Sequence, residues 1–313
     1  MAQITAAQVK ELRERTGAGM GDCKKALEAT DGNLDAAAEK LRMDGAAKAD
    51  KKAGRTAAEG VLAFASTADA VAVVELNCET DFVAKGDDFR GLAKRAAEAA
   101  VKQRPTTLDA LVQIKDGAET LDETRRAMVG RIGENMTIRR FDVVTKAGGP
   151  LVTYMHPGDK IGVILAMDAG DEAIGKDLAM HVAAMSPRFL DAASFSAEVI
   201  EAERRIIEAT VAKEQEEARL DAEEAGKVFK PKPAEILAKM IDGKVNKFIS
   251  ENTLLGQPFV KSPDETVEKL LKSKNAKVAR FVRYAVGEGI EKPKGDFAAE
   301  VMAQAGIKAP TAT

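Results

Sequence analysis

Residues 71–88 read VAVVELNCETDFVAKGDD. The run opens with Val71, Val73, Val74 and Leu76, apolar, mostly β-branched and too short for a complete globular helix, which predicts a buried strand. Thr80, Asp81, Phe82 and Val83 follow, and Lys85, Gly86, Asp87 and Asp88 signal a turn into the next helix. A large aromatic therefore stands beside a carboxylate at a strand-to-helix corner. Two readings fit that chemistry: Phe82 folds back onto the core while Thr80 and Asp81 cap a short helical turn, or the corner is a partner-binding tip.

Working outward, the corner belongs to a unit that occurs twice. Val61-Leu62-Ala63-Phe64, a polar turn containing Asp69, the strand at 71–77, a helix carrying Phe89, Leu92, Ala96 and Ala100, and the strand Thr137–Val144 form one ββ–helix–β set. Leu151–Tyr154, a turn at Pro157-Gly158-Asp159, the strand Ile161–Leu165, a helix through Leu178, His181, Val182 and Met185, and the strand Val278–Tyr284 repeat the order. Two similar α+β halves, each an antiparallel sheet covered by helices, are the expected architecture.

The second half is interrupted. From Glu198 to Glu224 there are ten acidic and four basic side chains, with Val199, Ala202, Ile206 and Ala209 as a short apolar seam, so a long exposed helix is expected. GKVFKPKP breaks it, and a return helix with Leu237, Met240, Ile241, Val245 and Phe248 on one face makes an antiparallel hairpin. Before the first half, residues 1 to about 45 read as three short helices. Thr5 caps the first, which sets Val9 and Leu12 on one side and stops at Thr16-Gly17. Asp22 caps the second, and Asp31-Gly32-Asn33 turns into the third. So small a bundle has a meagre core, and Met20 fits either gap-filling or a partner surface. Residues 44–59, DGAAKADKKAGRTAAE, read as a linker whose Lys48, Lys51, Lys52 and Arg55 are solvated charge. The tail can start a helix at Gly295-Asp296-Phe297, capped by Asp296.

Composition restricts the chemistry. With 313 residues and 45% apolar side chains the chain can bury a sizeable core in two or more domains. Forty-seven basic against fifty acidic residues argue against nucleic acid as the main partner. No run approaches the length of a membrane span and the N-terminus has neither signal nor transit character, so a cytoplasmic address is expected. Cys23 and Cys78 offer no zinc set and read as reduced thiols. His156 and His181 belong to no nucleophile or metal motif, and no phosphate loop occurs. Gly17, Gly19 and Gly21 imitate a dinucleotide fingerprint, but Asp22 stands where its last glycine belongs and a helix precedes them. The weight moves from an enzyme toward a binding protein.

The run ITAAQVKELRERTGAGMGDCKKALEATDGNLDAAAEKLR, the run VELNCETDFVAK, the segments IGENMTIRR and AMHVAA, the late TLLGQPFV and VGEGIEK, and the tail DFAAEV resemble the bacterial elongation factor Ts family along nearly the whole chain. The resemblance implies an α+β protein with a small three-helix, ubiquitin-associated-like N-terminal domain and two related α/β-sandwich subdomains with antiparallel sheets. It also implies an antiparallel coiled-coil arm inserted in the second subdomain, and a C-terminal helical module. The expected division is 1–45 for the helical domain, 46–59 for the linker, and 60–147 for the first subdomain. The second subdomain takes 148–187 and 234–290, the arm 188–233 and the C-terminal module 291–313. The implied activity is guanine-nucleotide exchange on elongation factor Tu, bound in its GDP and nucleotide-free states, without covalent chemistry, cofactor, metal, direct nucleic-acid contact or membrane. Thr80, Asp81, Phe82 and Val83 would disturb the magnesium and phosphate site of that GTPase. Leu12 and Met20 would touch its nucleotide domain, and so would the module around Phe297. His156, beside a Pro157 that replaces the family's usual glycine, would face its third domain. The arm offers a place for contacts between copies.

Overall fold

A computed structural model describes residues 4–291. Helices and small antiparallel sheets alternate, the α+β class expected. The described residues divide into two compact units, the first holding 4–145, 155–162 and 284–291, the second 146–154 and 163–283.

The first unit runs α1 (Ala6–Thr16), α2 (Met20–Ala29), α3 (Leu34–Lys52), β1 (Glu59–Ser66), β2 (Ala70–Cys78), α4 (Asp81–Ala84), α5 (Asp87–Gln103) and α6 (Leu108–Val112). The two-residue strands β3 (Lys115–Asp116) and β4 (Glu119–Thr120), α7 (Leu121–Ile132) and β5 (Met136–Thr145) complete it. Thr5 and Gln8 form a reciprocal capping box on α1, and Gly17, at φ 67°, closes that helix in the left-handed conformation glycine takes without strain. α2 begins at Met20 with Gly19 as its cap, one turn earlier than the Asp22 start expected. Asn33 caps α3 by accepting from the Asp35 and Ala36 amides.

The expected linker is corrected by α3, which continues to Lys52. Alanine and lysine are strong helix formers, and the segment contains no proline to stop the helix. Gly45 and Ala49 are buried on its far end. There α3 crosses α7 so closely that Gly45 and Gly130 face each other backbone to backbone. Arg42 bonds Glu123 at 3.1 Å, and Arg126 bonds Asp50, across the same crossing.

The sheet order is β1-β2-β5, both pairings antiparallel, with β2 buried over its whole length. Ala72, Val74 and Leu76 share a core with Phe89, Leu92, Ala93, Ala96 and Ala100 of α5. A strand covered on both faces reads as a continuous apolar run, which is why residues 71–76 lack alternation. The exception is Glu75, fully buried, which accepts from Arg140 Nε at 2.5 Å, Arg139 Nη1 at 3.1 Å and the Gly287 amide at 2.8 Å. Burial would raise its pKa, but the Gly287 amide and the two guanidinium groups outweigh that and hold the carboxyl below its ordinary value.

The second unit is built on β6 (Leu151–Met155), β7 (Ile161–Ala169), α8 (Glu172–Met185), α9 (Ala197–Glu224) and α10 (Ala234–Asn252). It ends with β8 (Pro258–Phe259), β9 (Ser262–Thr266), α11 (Val267–Ser273) and β10 (Lys277–Ala285), and its sheet order is β10-β7-β6. The repeat extends further than the sequence suggested. In both units a short two-stranded ribbon leads straight into a helix and then the last strand. A threonine, Thr120 or Thr266, ends each ribbon and caps the helix after it.

The arm needs two corrections. α10 returns along α9, with Arg204 pairing Asp242 and Lys244 pairing Glu214, each at 2.7 Å, so the hairpin spans 197–252 rather than ending at 233. Its buried seam is Ile207, Val211 and Val245, flanked by Ile200, Leu237, Ile241 and Ile249. Val199 and Ile206, expected inside, are exposed. Val199-Ile200 and Ile206-Ile207 are adjacent apolar pairs, so the heptad pattern fits two faces. The cross-helix ion pairs accompany the face one residue on.

Candidate functional site

β2 ends at Cys78, and the chain must reverse within two residues to start a helix. Thr80 makes the reversal in extended backbone, its Oγ accepting from the Val83 amide as the cap of α4. α4 is one turn long. Ala84 is buried beneath it, and successive helical side chains diverge by about 100°, which turns Phe82 away from the core. Phe82 is 81% exposed, so it does not fold back onto the core, while Thr80 caps the turn as that same reading expected. Its ring surface is left to water, where apolar area is held at a cost that burial against a partner would relieve.

Lys85 steadies both exposed side chains. Its ammonium bonds Asp81 Oδ2 at 2.6 Å and lies 5.9 Å from the centre of the Phe82 ring. That hydrogen bond, reinforced by the lysine charge, holds the Asp81 carboxyl below its ordinary value, so the corner presents a carboxylate paired with an ammonium. Glu59 and Lys160, paired at 2.7 Å, act on the same carboxylate from β1 and from the turn before β7.

That turn carries His156. The His156 amide donates to Ile161 O at 2.9 Å and the Asp159 amide to His156 O at 3.1 Å, with Gly158 and Asp159 both at positive φ. Asp159 pairs with Arg90 of α5 at 2.6 Å, and its carbonyl accepts from the Leu62 amide. His156 is exposed on a turn that belongs to the first unit and is held within it from two sides. His181 is the opposite case. It is fully buried in the second unit, its Nε2 at 3.0 Å from Gln257 Oε1 and its Nδ1 accepting from the Val260 amide at 3.2 Å. Burial pushes its pKa down, against the pull of the Gln257 hydrogen bond.

In the three-helix bundle, Met20 is 45% exposed at the first position of α2. Leu12 corrects the expectation placed on it: it is completely enclosed with Val9, Cys23, Ala26, Leu27 and Ala37, because a core of that size has no leucine to spare. Phe297 and the C-terminal module lie outside the described residues. Gly17 and Gly19 close one helix and open the next, so the glycine pattern is helix punctuation rather than a phosphate loop.

Both thiols are buried and unpaired with each other. Burial pushes the Cys78 thiol up to about 12, and its Sγ donates to Thr80 O at 3.1 Å, so it buttresses the corner as a small apolar group. Among the described residues no group of three or more His, Cys, Asp or Glu is placed to hold a metal, and no helix is long and apolar enough to cross a membrane. The pairings Lys85–Asp81, Lys160–Glu59 and Arg90–Asp159 went unread in the sequence. Lys85 had a local signal, four residues from Asp81 on one helical face, and the others are joined only by the fold.

Residues 79–288 match the family model described as Elongation factor TS. Over 306 residues the chain is 52% identical to elongation factor Ts of Hydrogenovibrio crunogenus, covering 96% of this chain and 98% of that protein. It is 50% identical over 305 residues to elongation factor Ts of Methylococcus capsulatus, with the same coverage. A third relative, elongation factor Ts of Methylobacillus flagellatus, is 50% identical over 309 residues, 98% of this chain and all of that protein.

Proposed function

The chain belongs to the elongation factor Ts family, and from that premise we propose that it releases GDP from elongation factor Tu by inserting its Asp81–Phe82 corner beside the magnesium and phosphate site. The observation that carries this reading is the 81% exposure of Phe82 on a one-turn helix held at both ends. Magnesium and backbone amides hold a diphosphate by geometry, so a small displacement of those elements forfeits much of the affinity. Phe82 supplies the apolar wedge, and Asp81 brings a charge that disfavours the neighbouring phosphate. Val83 supports the wedge from the same turn, while Thr80 sets its position. Linkage makes the effect reciprocal: whatever factor the exchange protein takes from GDP affinity, GDP takes from the exchange protein, and GTP in excess expels it. No bond is made or broken in the protein.

Around that centre we assign Met20, on a bundle of the ubiquitin-associated type, to the nucleotide domain of elongation factor Tu. The tail around Phe297 is assigned to the same domain, and His156 to its third domain. Leu12 serves from beneath, by holding α1 against the helix that presents Met20. The hairpin 197–252 serves as an appended arm open to contacts between copies.

The test is Phe82→Ala with release of a fluorescent GDP from elongation factor Tu as the readout. A buried aromatic anchor is worth about 2–4 kcal/mol to an interface, which slows release by tens- to several-hundred-fold. Because the ring is exposed in the free protein, the variant keeps its folding stability within about 0.5 kcal/mol. Release at the wild-type rate by a folded Phe82→Ala protein refutes the insertion.

A further inference from the structure

The corner is gripped from the far side by a residue to which no role has been given. Glu134 lies in the loop Gly133–Asn135 that joins α7 to β5, and is separated from the corner by most of the first half of the fold. Its carboxylate takes both polar groups of Thr80 at once: Thr80 Oγ donates to Oε1 at 2.7 Å, and the Thr80 amide donates to Oε2 at 3.0 Å. The grip is reciprocated one residue away, where the Asn135 amide donates to Glu79 Oε1 at 2.6 Å. The loop itself is tied to the end of α3. Asn135 Nδ2 donates to Arg55 O at 2.7 Å and to Ala53 O at 3.3 Å, and Lys52 Nζ donates to Gly133 O.

We infer that Glu134 is a positioning residue for exchange, acting through Thr80 to fix the direction in which Phe82 leaves the protein. The inference rests on the exchange reading given above. A one-turn helix has no stability of its own, since the first turn of a helix is its least favourable step. Its orientation is set by the cap, and here the cap is a threonine whose hydroxyl accepts from Val83 while donating to Glu134. An ionised carboxylate that accepts from an amide and a hydroxyl together makes charge-assisted bonds of fixed geometry. Without it, Thr80 is free to rotate, and ordering an exposed aromatic falls to the moment of binding, where it reduces the gain from the contact. The geometry thus divides the labour: Phe82 touches the partner, and Glu134 ensures that it is already in place.

The chain contains no tryptophan and two tyrosines, so Phe82→Trp gives a single tryptophan at the tip, excited on its red edge where tyrosine does not absorb. Its anisotropy in the otherwise wild-type chain, in Glu134→Ala and in Glu134→Gln reads the freedom of the corner without any partner. Glu134→Ala is expected to lower the anisotropy. Glu134→Gln is expected to restore most of it, because the amide oxygen still accepts from the Thr80 amide and the amide nitrogen can donate to Thr80 Oγ. With Phe82 intact, Glu134→Ala should slow GDP release from elongation factor Tu by about tenfold, the equivalent of one charge-assisted hydrogen bond. Thr80→Ala should do the same, and the double variant should be no slower than the slower single one. Unchanged anisotropy in Glu134→Ala, or effects of Glu134 and Thr80 that multiply, overturns the inference. Should Glu134→Ala fail to fold, Thr80→Val removes the hydroxyl half of the grip together with its cap on the Val83 amide, and carries the same measurements with a loss of at least about threefold expected. If the wild-type chain releases no GDP, the exchange reading falls, and the anisotropy series still decides whether Glu134 holds the corner.

Discussion

The α3–α7 crossing predicts opposite signs for two alanine substitutions that face each other. A Cβ on Gly130 would lie 2.6 Å from Gly45 Cα and 3.4 Å from that residue's carbonyl carbon and oxygen. A Cβ on Gly45 would meet nothing closer than 3.9 Å, the distance to Arg126 O and to Gly130 Cα. Carbon contacts are favourable from about 3.5 Å outward, so Gly130→Ala must part the helices by roughly 1 Å, and no side-chain rotation relieves a clash between backbones. Overpacking of that kind costs about 1–3 kcal/mol. Replacing glycine by alanine within a helix returns about 1 kcal/mol, which leaves Gly130→Ala destabilised by about 1 kcal/mol. Gly45→Ala gains the same 1 kcal/mol without the clash and adds van der Waals contact, so the two variants should differ by about 2 kcal/mol. For a unit of this size that is a difference of about 4–8 °C in melting temperature, read by circular dichroism, with wild type between the two. Gly130→Ala melting at or above Gly45→Ala would show that α3 does not dock on α7, and that the first 50 residues are a separate module on a linker after all.

Two further outcomes follow from the second unit. His181 has its folded-state pKa depressed by burial below the usual 6.5, so it contributes stability that is fully present above that value and is lost as pH falls below it toward the folded pKa. Stability to urea should therefore weaken between about pH 7 and pH 5 in the wild-type chain, with a flatter profile in His181→Asn; identical slopes would mean that burial does not shift the imidazole and that it binds its proton equally in both states. Shortening the hairpin by removing 208–237 and closing it with a short glycine-serine loop should leave GDP release intact, since the seam below that cut retains Ile207, Ile241 and Val245. A folded variant that has lost most of its exchange activity would move the arm into the functional surface.

Much of the frame was legible because its signals are local. The β-branched run 71–76, the alanine-rich face of α5, the threonine caps at Thr5 and Thr80 and the turn at 31–33 each act over a few residues, and each appears where read. α3 was misjudged at its far end because alanine, lysine and glycine suit both a linker and a helix; what decides between them is Gly130, about 85 residues away. The arm's seam was displaced by one residue because two adjacent apolar pairs satisfy the same repeat, and only charges on the other helix distinguish them. Glu75 illustrates the limit. A carboxylate inside a strand ordinarily argues for an exposed face, and its burial depends on Arg139, Arg140 and Gly287, brought together by the sheet and by a segment from the end of the described chain. The tip was visible as a residue type but not as a geometry, since the exposure of Phe82 follows from Ala84 turning inward.

The crossing and the corner are consecutive parts of one contact sequence. α3 bears on α7 at Gly45 and Gly130, α7 ends at Gly133, Glu134 follows it, and Glu134 holds the threonine that launches Phe82. Position along such a sequence is no proof of coupling, because packed residues can shift without transmitting anything. Coupling shows itself in non-additivity. If α7 sets the place of Glu134, Gly130→Ala should slow GDP release although it touches no partner, and in a Glu134→Ala background it should add little, because the grip through which it acts has already gone. If it acts instead by tilting Met20 on the three-helix bundle, its effect should be undiminished in that background and should disappear in Met20→Ala. The two routes start from one backbone contact, and the choice of second substitution separates them.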